Sequence, residues 1–342
     1  MPEKNRQIFL VEKPAGKLQE SHFEMRAGDI PAPQDGQVQV RSLLLSLDAA
    51  NRAWMHGDTY RKGVGAGDVM DGYGIGVVTQ SKADGFAAGD IVGAAVGWQD
   101  YSVHKAHWLE KPPQEAKPLS HLVSLYGIAG KTAYHGLVLV GRPKEGETVL
   151  VSAAAGSVGM FVGQIAKNLG CRAIGLAGGP EKCAWVTDML GFDACIDYKN
   201  EPYRNRIAEL APDGVDIYFD NVGGPVLEAA LFNMAMHGRI VCCGAISQYD
   251  TTEMTSPRGV PGIHVFKRLR MEGFIVMDFA DRDAEAVRDM GRWFRDGKMV
   301  VEEDILDGLE MAPKGLIGLL GGDNRGKRMI RVAPDPDQNC GA

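Results

Sequence analysis

The middle of the chain reads Val149-Leu150-Val151-Ser152-Ala153-Ala154-Ala155-Gly156-Ser157-Val158-Gly159. The β-branched apolar run predicts a buried strand, and it turns through small residues into an amphipathic segment, Phe161 to Leu169, which predicts a helix. Small residues let the backbone approach a pyrophosphate closely, and the N–H groups and dipole of the helix start favour an anion. The stretch therefore predicts a nucleotide-binding turn. Its motif is Ala-x-Gly-x-x-Gly, with Ala154 in place of the usual first glycine, so a structural turn without a ligand is the alternative.

The next predicted strand, Arg172 to Leu176, indicates which dinucleotide the turn would hold. An NAD site carries Asp or Glu about twenty residues after the turn, where the carboxylate accepts from the ribose 2′-hydroxyl. Here that position reads Gly175-Leu176-Ala177-Gly178-Gly179. Lys182 then lies in the opening turn of the following helix, where its ammonium can meet a 2′-phosphate. We predict NADP rather than NAD, the alternative being that Lys182 is only a solvated helix lysine.

Length and charge narrow the class of protein. A chain of 342 residues exceeds what one core usually supports, which predicts two domains. A net charge of −7 without a sustained Lys/Arg block argues against nucleic acid or an anionic membrane as the partner. The polar N-terminus and the lack of an apolar run of about 20 residues predict a cytoplasmic protein.

Cysteine and histidine placement favours free thiols over a disulfide framework or a metal site. The six cysteines all lie at or after residue 171, and none forms a C-x-x-C pair. A reducing compartment with buried thiols is the simplest explanation. The eight histidines show neither an i, i+4 pair nor a neighbouring cysteine, so no metal site is expected.

The two halves of the chain differ in fold class. Residues 1 to about 125 contain β-rich runs broken by Gly, Pro and Asp, which predicts a β domain. From about residue 126, strands alternate with single helices, which predicts a parallel, doubly wound α/β sheet with ligands at the carboxyl ends of its strands. The predicted strands are 149–154, 172–177, 194–197, 215–219, 239–243 and 271–276, and the predicted helices are 157–169, 180–190, 201–210, 225–236 and 282–296. A last strand, Lys327 to Val332, is expected to return to the first domain.

Two polar, glycine-containing segments follow strands of the predicted sheet. They are Phe219 to Gly224 and Cys243 to Tyr249. At strand ends both should border the cofactor, and Asn221, Ser247 and Tyr249 offer hydrogen-bonding groups near the reacting ring. An ordinary turn explains Asp220-Asn221-Val222-Gly223 equally well, since Asn and Gly are common turn residues.

Ten collinear segments across nearly the whole chain carry a family resemblance. They are Leu45 to Asp48, Val69 to Gly76, Val96 to Tyr101, Thr132 to Leu137, Ala153 to Gly159, Gly163 to Lys167, Phe219 to Gly224, Cys243 to Tyr249, Met271 to Phe274 and Gly322 to Lys327. The chain resembles the zinc-independent medium-chain dehydrogenase/reductase superfamily, and within it the leukotriene B4 dehydrogenase, prostaglandin reductase and 2-alkenal reductase branch.

The resemblance implies a GroES-like catalytic domain over residues 1–125, joined by about 305–342, and a Rossmann NADP-binding domain over 126–304. It further implies an active site in the cleft between the domains and a homodimer. The NADP(H) contacts that it implies are Gly156, Ser157, Val158 and Gly159 at the pyrophosphate, Gly178, Lys182 and Tyr198 at the 2′-phosphate end, and Asn221, Cys243, Gly244, Ala245, Ile246, Tyr249, Phe274, Val276 and Asn324 around the nicotinamide and ribose.

Two departures from related sequences concern metal and substrate. Zinc-dependent relatives carry Gly-His-Glu where this chain has Gly72-Tyr73-Gly74, and no cysteine precedes Cys171, so neither zinc site is expected. The family run Asp-Pro-Tyr-Met-Arg becomes Asp48-Ala49-Ala50-Asn51-Arg52, which replaces a bulky tyrosine on the substrate side. We therefore expect Ala50, Arg52 and Tyr73 to line a wider or reshaped substrate pocket.

These features together predict reduction of the C=C bond of an α,β-unsaturated aldehyde or ketone. Without a metal, hydrogen bonds alone must activate the hydride acceptor, and a conjugated carbonyl suits this because charge moves to its oxygen. Tyr249 is the predicted catalytic donor to that oxygen, with tyrosine or water as the proton source. The alternatives are an NADPH:quinone reductase, an alcohol or carbonyl dehydrogenase, and an NADPH-binding protein without turnover.

Overall fold

The computed structural model describes residues 4–113, 116–251 and 256–336. The chain forms two compact units: unit 1 consists of Met1–Val123, Glu303–Asn324 and Arg328–Ala342, and unit 2 consists of Ser124–Glu302 and Arg325–Lys327. The strands are β1 (Asn5–Leu10), β2 (Phe23–Gly28), β3 (Gln37–Ser46), β4 (Gly74–Ser81), β5 (Ile91–Ala94), β6 (Tyr101–Lys105), β7 (Thr148–Ser152), β8 (Arg172–Ala177), β9 (Ala194–Asp197), β10 (Val215–Asp220), β11 (Met234–Cys242), β12 (Arg270–Gly273), β13 (Glu303–Asp307) and β14 (Lys327–Arg331).

Most of the α-helices in the described residues lie in unit 2. They are α1 (Ala49–Ala53), α2 (Ile128–Tyr134), α3 (Gly159–Asn168), α4 (Pro180–Asp188), α5 (Tyr203–Leu210), α6 (Gly224–Asn233), α7 (Val260–Lys267), α8 (Asp283–Arg295) and α9 (Ala312–Gly321). None of these helices has the length and apolar character needed to cross a membrane.

Unit 2 is built on a six-stranded parallel sheet. Its strand order is β9-β8-β7-β10-β11-β12, and all the neighbouring pairs are parallel. Numbered from its own first strand, this is the order 3-2-1-4-5-6 of two mononucleotide-binding halves. The order reverses between β7 and β10, so ligands are expected at the carboxyl ends of these strands. The predicted doubly wound Rossmann fold is confirmed.

Alternate residues of β7 enter two different hydrophobic cores, as the two-residue period of a strand requires. Val149 and Val151 pack in one core with Phe161 of α3, and Leu150 packs in the other with Ile207 of α5. Because helices cover both faces of β7, the strand is apolar at successive positions. This burial fixes the position of the turn that follows.

Unit 1 is built on an antiparallel sheet centred on β3. This strand pairs with β14, β4 and β6, and β4 pairs in turn with β5. Register shifts at Gln39/Val40 and Ser42/Leu44 interrupt the β3–β4 ladder, and such bulges bend and twist a sheet. The architecture confirms the predicted GroES-like β fold.

Two predicted element boundaries in unit 2 are wrong. The helix predicted over 225–236 ends at Asn233, whose side chain donates to the Ala229 carbonyl oxygen at 2.9 Å, so β11 starts at Met234 rather than 239. The strand predicted over 271–276 ends at Gly273. A 3-10 turn starts at Val276, and the Ile275 N–H donates to the Asp278 carboxylate at 3.3 Å.

Candidate active site

The turn between β7 and α3 is tight, and its backbone contacts leave space only for small residues. Ala153 adopts a left-handed conformation with φ of 51°, and its carbonyl oxygen accepts from the Gly156 N–H at 2.9 Å. A Cβ on Gly159 would lie 2.2 Å from that same oxygen, so only glycine can begin α3 against the turn. The first N–H groups of a helix have no acceptor within it. The turn Gly156 to Gly159 therefore fits an anionic pyrophosphate.

A segment near the C-terminus reaches the same turn. Gly326 forms a parallel bridge with Gly156, and its N–H donates to the Ala155 carbonyl oxygen at 2.9 Å. A Cβ on Gly326 would lie 2.2 Å from the Glu302 carbonyl oxygen. Asn324, a predicted cofactor contact, is buried and directly precedes this segment.

The predicted 2′-phosphate residues gather around the end of β8. A Cβ on Gly178 would lie 3.0 Å from the Tyr198 hydroxyl oxygen, which shows that Tyr198 lies directly against this glycine. Lys182 is half-buried in the first turn of α4, which begins at Pro180. Tyr198 is exposed to 40% and so remains accessible to a ligand.

One carboxylate does lie near this position, and its hydrogen bonds tie it to the protein. Asp197 ends β9, and its carboxylate accepts from the Gly179 N–H at 2.8 Å and from the Asn200 side chain at 2.7 Å. The side-chain bond from Asn200, followed by that from Gly179, lowers the pKa of the Asp197 carboxyl. Asp197 therefore braces the loop after β8 and follows a different strand from the acid of an NAD site.

A buried polar network closes the end of β10. The Asp220 carboxylate accepts from the Tyr218 hydroxyl at 2.7 Å and from the Gly223 N–H at 2.8 Å. Burial raises the pKa of the Asp220 carboxyl against the effect of these bonds. The Asn221 side chain donates to the Ser152 carbonyl oxygen at 2.8 Å. Asn221 thus ties the end of β10 to the end of β7, as well as being a predicted cofactor contact.

The loop from Cys243 to Tyr249 is held against the loop after β10. The Cys243 and Gly244 N–H groups donate to the Asp220 carbonyl oxygen at 2.9 and 3.1 Å. At the far end of the loop, the Tyr249 hydroxyl accepts from the Ala245 N–H at 3.0 Å. Ile246 begins a 3-10 turn between them. The loop therefore fixes the position of the predicted catalytic hydroxyl through its own backbone.

Phe274 forms an apolar wall beside these loops. Its ring lies 6.4 Å from that of Phe219 and 6.2 Å from that of Phe279, measured between centroids. Val276, two residues on, is half-buried where the 3-10 turn begins. The wall of aromatic rings continues the core of unit 2 up to the strand ends.

An open cavity of about 610 Å³ lies at the carboxyl ends of β10, β11 and β12. Its volume is in the range of small-molecule and cofactor sites. The lining residues are Asp220, Gly223, Gly224, Leu227, Cys242, Cys243, Gly244, Ala245, Gln248, Tyr249, Pro257, Met271, Gly273, Phe274, Ile275 and Asp278. The cavity brings together the predicted residues Cys243, Gly244, Ala245, Tyr249 and Phe274.

The two thiols in this cavity are held in the protonated form. Burial, followed by the charge of Asp220, raises the pKa of both Cys242 and Cys243 to about 12. The thiolate is the nucleophilic form of cysteine, so at neutral pH both residues remain protonated. They therefore serve as small apolar wall groups.

The predicted substrate residues lie in unit 1. Ala50 is half-buried in α1, whose start is capped by reciprocal bonds between Asp48 and Asn51. The Arg52 guanidinium is buried and donates to the Gly16 carbonyl oxygen at 2.8 Å. The Tyr73 hydroxyl donates to the Glu110 carboxylate at 3.1 Å. The hydrogen bond to Gly16 gives Arg52 a stabilising role within unit 1.

Several cavity residues were missed from the sequence. Leu227, Pro257 and Asp278 line the cavity and were not predicted to do so. Leu227 lies inside α6, three residues after Gly224, so the rule that ligands lie at strand ends does not point to it. Asp278 could not be found this way, because a strand was predicted where the chain turns back at Ile275.

Two family models and several known proteins match the sequence of this chain. An N-terminal domain of oxidoreductase matches residues 6–111, and a zinc-binding dehydrogenase domain matches residues 157–293. The NADPH-dependent curcumin reductase of Escherichia coli (strain K12) is 40% identical over 339 residues, which cover 97% of this chain and 98% of that protein. The 2-alkenal reductase (NADP(+)-dependent) of Nicotiana tabacum is 38% identical over 341 residues, or 96% of this chain and 98% of that protein.

Among solved structures, CurA from Vibrio vulnificus in complex with NADPH superposes with a TM-score of 0.92. It is 40% identical and covers 96% of this chain and 100% of that chain. The fold and these relatives define an oxidoreductase of the medium-chain dehydrogenase/reductase type. The chain belongs to the zinc-independent branch of that superfamily, and the predicted family is confirmed.

The name of the second family model refers to zinc. In residues 4–113, 116–251 and 256–336, however, no three His, Cys, Asp or Glu side chains are grouped so that they could hold a metal ion. The donor set required for a tetrahedral zinc site is thus not assembled in these parts of the chain.

Proposed function

We propose that this protein is an NADPH-dependent reductase of the C=C bond of α,β-unsaturated aldehydes and ketones. The observation that carries the proposal is its likeness, over 96–97% of the chain, to a curcumin reductase and a 2-alkenal reductase that both use this cofactor. The domain that holds the cofactor is then the Rossmann unit, residues 126–304 as delimited from the sequence, and the catalytic domain is the GroES-like unit.

The geometry at the strand ends supports the proposed cofactor contacts. The turn Gly156 to Gly159 binds the pyrophosphate through the backbone N–H groups at the start of α3. Gly159 lets α3 begin directly against Ala153, whose carbonyl oxygen would clash with a Cβ at this position. Lys182 and Tyr198 bind the 2′-phosphate beside Gly178. The nicotinamide and its ribose lie along Asn221, the loop from Cys243 to Tyr249, and Phe274 to Val276. Asn324 contributes from the C-terminal segment.

Tyr249 is the residue assigned to the reacting carbonyl. NADPH, when bound, supplies the hydride that adds to the β-carbon of the conjugated carbonyl compound. Negative charge then moves to the substrate oxygen as an enolate, and the Tyr249 hydroxyl donates a hydrogen bond to it. The Ala245 N–H holds this hydroxyl in place, so little reorganisation is needed during the reaction. The proton for the α-carbon comes from tyrosine or water.

On the substrate side, Ala50 leaves space where related sequences carry tyrosine, which favours a bulky conjugated carbonyl compound. The reciprocal capping hydrogen bonds between Asp48 and Asn51 stabilise the start of α1, where those sequences carry a proline. Tyr73 completes the proposed pocket wall, and Arg52 supports it through Gly16.

Two broader assignments belong to the same proposal. Assembly is as a homodimer, supported by the open edge strand β12 and by exposed apolar side chains of α7. The cytoplasm is the proposed location, supported by the free state of Cys171, Cys183, Cys195, Cys242 and Cys243. Cys340, the sixth cysteine, lies outside the described residues.

Product analysis on a substrate panel tests the reaction. Purified protein is incubated with NADPH deuterated at C4 and, separately, a 2-alkenal, an aryl enone and a quinone, and an alcohol is tested with NADP⁺. We expect saturated aldehydes and ketones with one deuterium at the β-carbon, at rates unchanged after dialysis against EDTA. Reduction of the quinone alone, or oxidation of the alcohol without any enone reduction, would overturn the proposal. NADPH binding without turnover of any compound would indicate a non-catalytic protein.

A further inference from the structure

One carboxylate joins the two loops that border the adenosine end of the Rossmann sheet. Asp197 accepts from the Gly179 N–H at 2.8 Å and from the Lys199 N–H at 3.1 Å. Gly179 belongs to the loop after β8, and Lys199 belongs to the turn after β9. The turn after β9 is therefore fixed beside the loop after β8, although about twenty residues separate them in sequence.

The side chain of Lys199 lies across the end of β8. A Cβ on Gly178 would be 2.8 Å from the Lys199 Cε atom and 3.0 Å from the Tyr198 hydroxyl oxygen. Both groups can lie this close only because Gly178 has no side chain. In a doubly wound sheet the end of this second strand is where the adenosine ribose of a dinucleotide lies. The Lys199 ammonium is one bond beyond the atom that touches Gly178.

The charges around this position show why a second ammonium is needed. Hydrogen bonds from Asn200 and then Gly179 lower the pKa of the Asp197 carboxyl, which is therefore ionised at neutral pH. Glu181 precedes Lys182 in the first turn of α4. Lys182 and Lys199 thus offset Asp197 and Glu181. The neighbouring Glu201 carboxylate, which accepts from the Asp197 N–H at 2.8 Å, is paired with Arg206. Without Lys199, the remaining three groups would be net negative. A 2′-phosphate would then be repelled, whereas an unphosphorylated ribose would not.

We propose that Lys199 is a determinant of cofactor specificity, binding the 2′-phosphate together with Lys182 and Tyr198 and offsetting the charge of Asp197. This inference rests on the proposed use of NADPH. It assigns to Lys199 a role that the sequence motif had not indicated, since that motif ends in the loop after β8.

Calorimetric titration with NADPH, NADH and adenosine 2′,5′-bisphosphate tests the assignment without requiring turnover. We expect Lys199→Gln to raise the Kd for NADPH and for the bisphosphate by about tenfold, the scale of a charge-assisted hydrogen bond. The Kd for NADH should change by less than about twofold, because it lacks the 2′-phosphate. Lys199→Arg, which keeps the charge, should retain most of the preference.

Lys298 provides the matched control. It is an exposed lysine of the same unit, and its carbonyl oxygen accepts from Asn168 at the carboxyl end of α3, which leads into the start of β8 rather than its end. Lys298→Gln should leave all three Kd values unchanged. An unchanged Kd for NADPH in Lys199→Gln would overturn this inference alone. Failure of the wild-type protein to prefer NADPH over NADH would overturn the proposed cofactor as well.

Discussion

The hydroxyl of Tyr249 accepts a hydrogen bond from the Ala245 N–H, 3.0 Å away. A hydroxyl that accepts from one donor is polarised and becomes a stronger donor itself. We expect Tyr249→Phe to lower kcat by roughly tenfold to a hundredfold while the Kd for NADPH changes less than about threefold, as for a group that acts mainly in the transition state. Steady-state kinetics with an enone and fluorescence titration with NADPH measure the two effects.

Tyr203→Phe is the control for this substitution, because Tyr203 begins α5 and packs against the opposite core of unit 2. It should leave both values unchanged. Equal losses of kcat and NADPH affinity in Tyr249→Phe would reduce Tyr249 to a cofactor contact and would leave the enolate without an assigned donor.

Single residues differ in how far the sequence alone could place them. The lack of an acid after β8, which predicts NADP rather than NAD, is evident from the sequence alone, because Gly178 and Gly179 occupy the positions where an NAD site carries a carboxylate. Lys199 was not readable, because its contact with Gly178 depends on β9 pairing beside β8 and on Asp197 bridging their loops. Long-range pairing of this kind leaves no local pattern in the sequence.

Helix α3 lies so close to the loop before β9 that one of its positions must be glycine. A Cβ on Gly163 would lie 1.8 Å from the Phe192 ring, which is itself buried. We expect Gly163→Ala to lower the free energy of unfolding by about 1–3 kcal/mol, because the clash exceeds the roughly 1 kcal/mol that alanine gains in a helix. Urea denaturation followed by circular dichroism provides the measurement.

Gly321 in α9 is the control for this packing argument, since the only atom within 4 Å of the position of its Cβ is the Asp323 Oδ1 at 3.8 Å, an ordinary contact distance. Gly321→Ala should stabilise the protein by roughly 0.5 kcal/mol through helix propensity alone. Stabilisation by Gly163→Ala would show that Phe192 moves aside freely and would contradict the close packing of α3.

The start of α8 is linked to α2 through an ionised carboxylate. Asp283 accepts from Lys131 at 2.6 Å and from His135 at 2.9 Å. Burial raises the pKa of the Asp283 carboxyl, but the bonds from His135 and Lys131 outweigh it and the net direction is down from 3.8. The stabilisation is therefore complete above about pH 4 and is lost as the pH falls through the lowered pKa of the folded state.

Asp283→Asn should accordingly lower the free energy of unfolding by about 2 kcal/mol at pH 6, the scale of hydrogen bonds to a charged group. The difference from wild type should shrink as the pH falls from 4 to 3, measured by urea denaturation at each pH. Asp296→Asn, at the exposed end of α8, should change stability by less than about 0.5 kcal/mol. A difference that stays constant down to pH 3 would contradict the assigned sign.

The elements of the two units were predictable to different degrees. Strands β8 and β9 were predicted with their observed bounds, because Gly and Pro or Asp clusters flank short apolar runs. The helix α9 was not predicted, since three glycines weaken its local signal. Packing stabilises it instead: a Cβ on Gly315 would meet the Leu47 side chain at 2.6 Å. Tertiary contact thus outweighs propensity at that helix.

At the scale of the whole molecule, the alternation of strands and helices in the sequence predicted the Rossmann sheet. The surfaces through which two copies would assemble leave no comparable repeating pattern in the sequence. Strand β12 forms the edge of the parallel sheet in the described residues, with its outer backbone groups available for pairing. The preceding helix α7 exposes 73% of Val265 and 77% of Phe266. Contiguous apolar groups beside an open strand edge favour a self-complementary interface between two copies.

Light scattering after size exclusion tests this assembly. We expect wild-type protein at about 50 μM to have twice the chain mass of 36.9 kDa, and Phe266→Glu to shift it toward the single-chain mass, because a carboxylate cannot be buried there without a large desolvation cost. Trp108→Glu alters a similarly exposed aromatic residue in unit 1 and should leave the dimer intact. A monomeric wild-type protein, or dissociation by Trp108→Glu alone, would contradict an interface at α7 and β12.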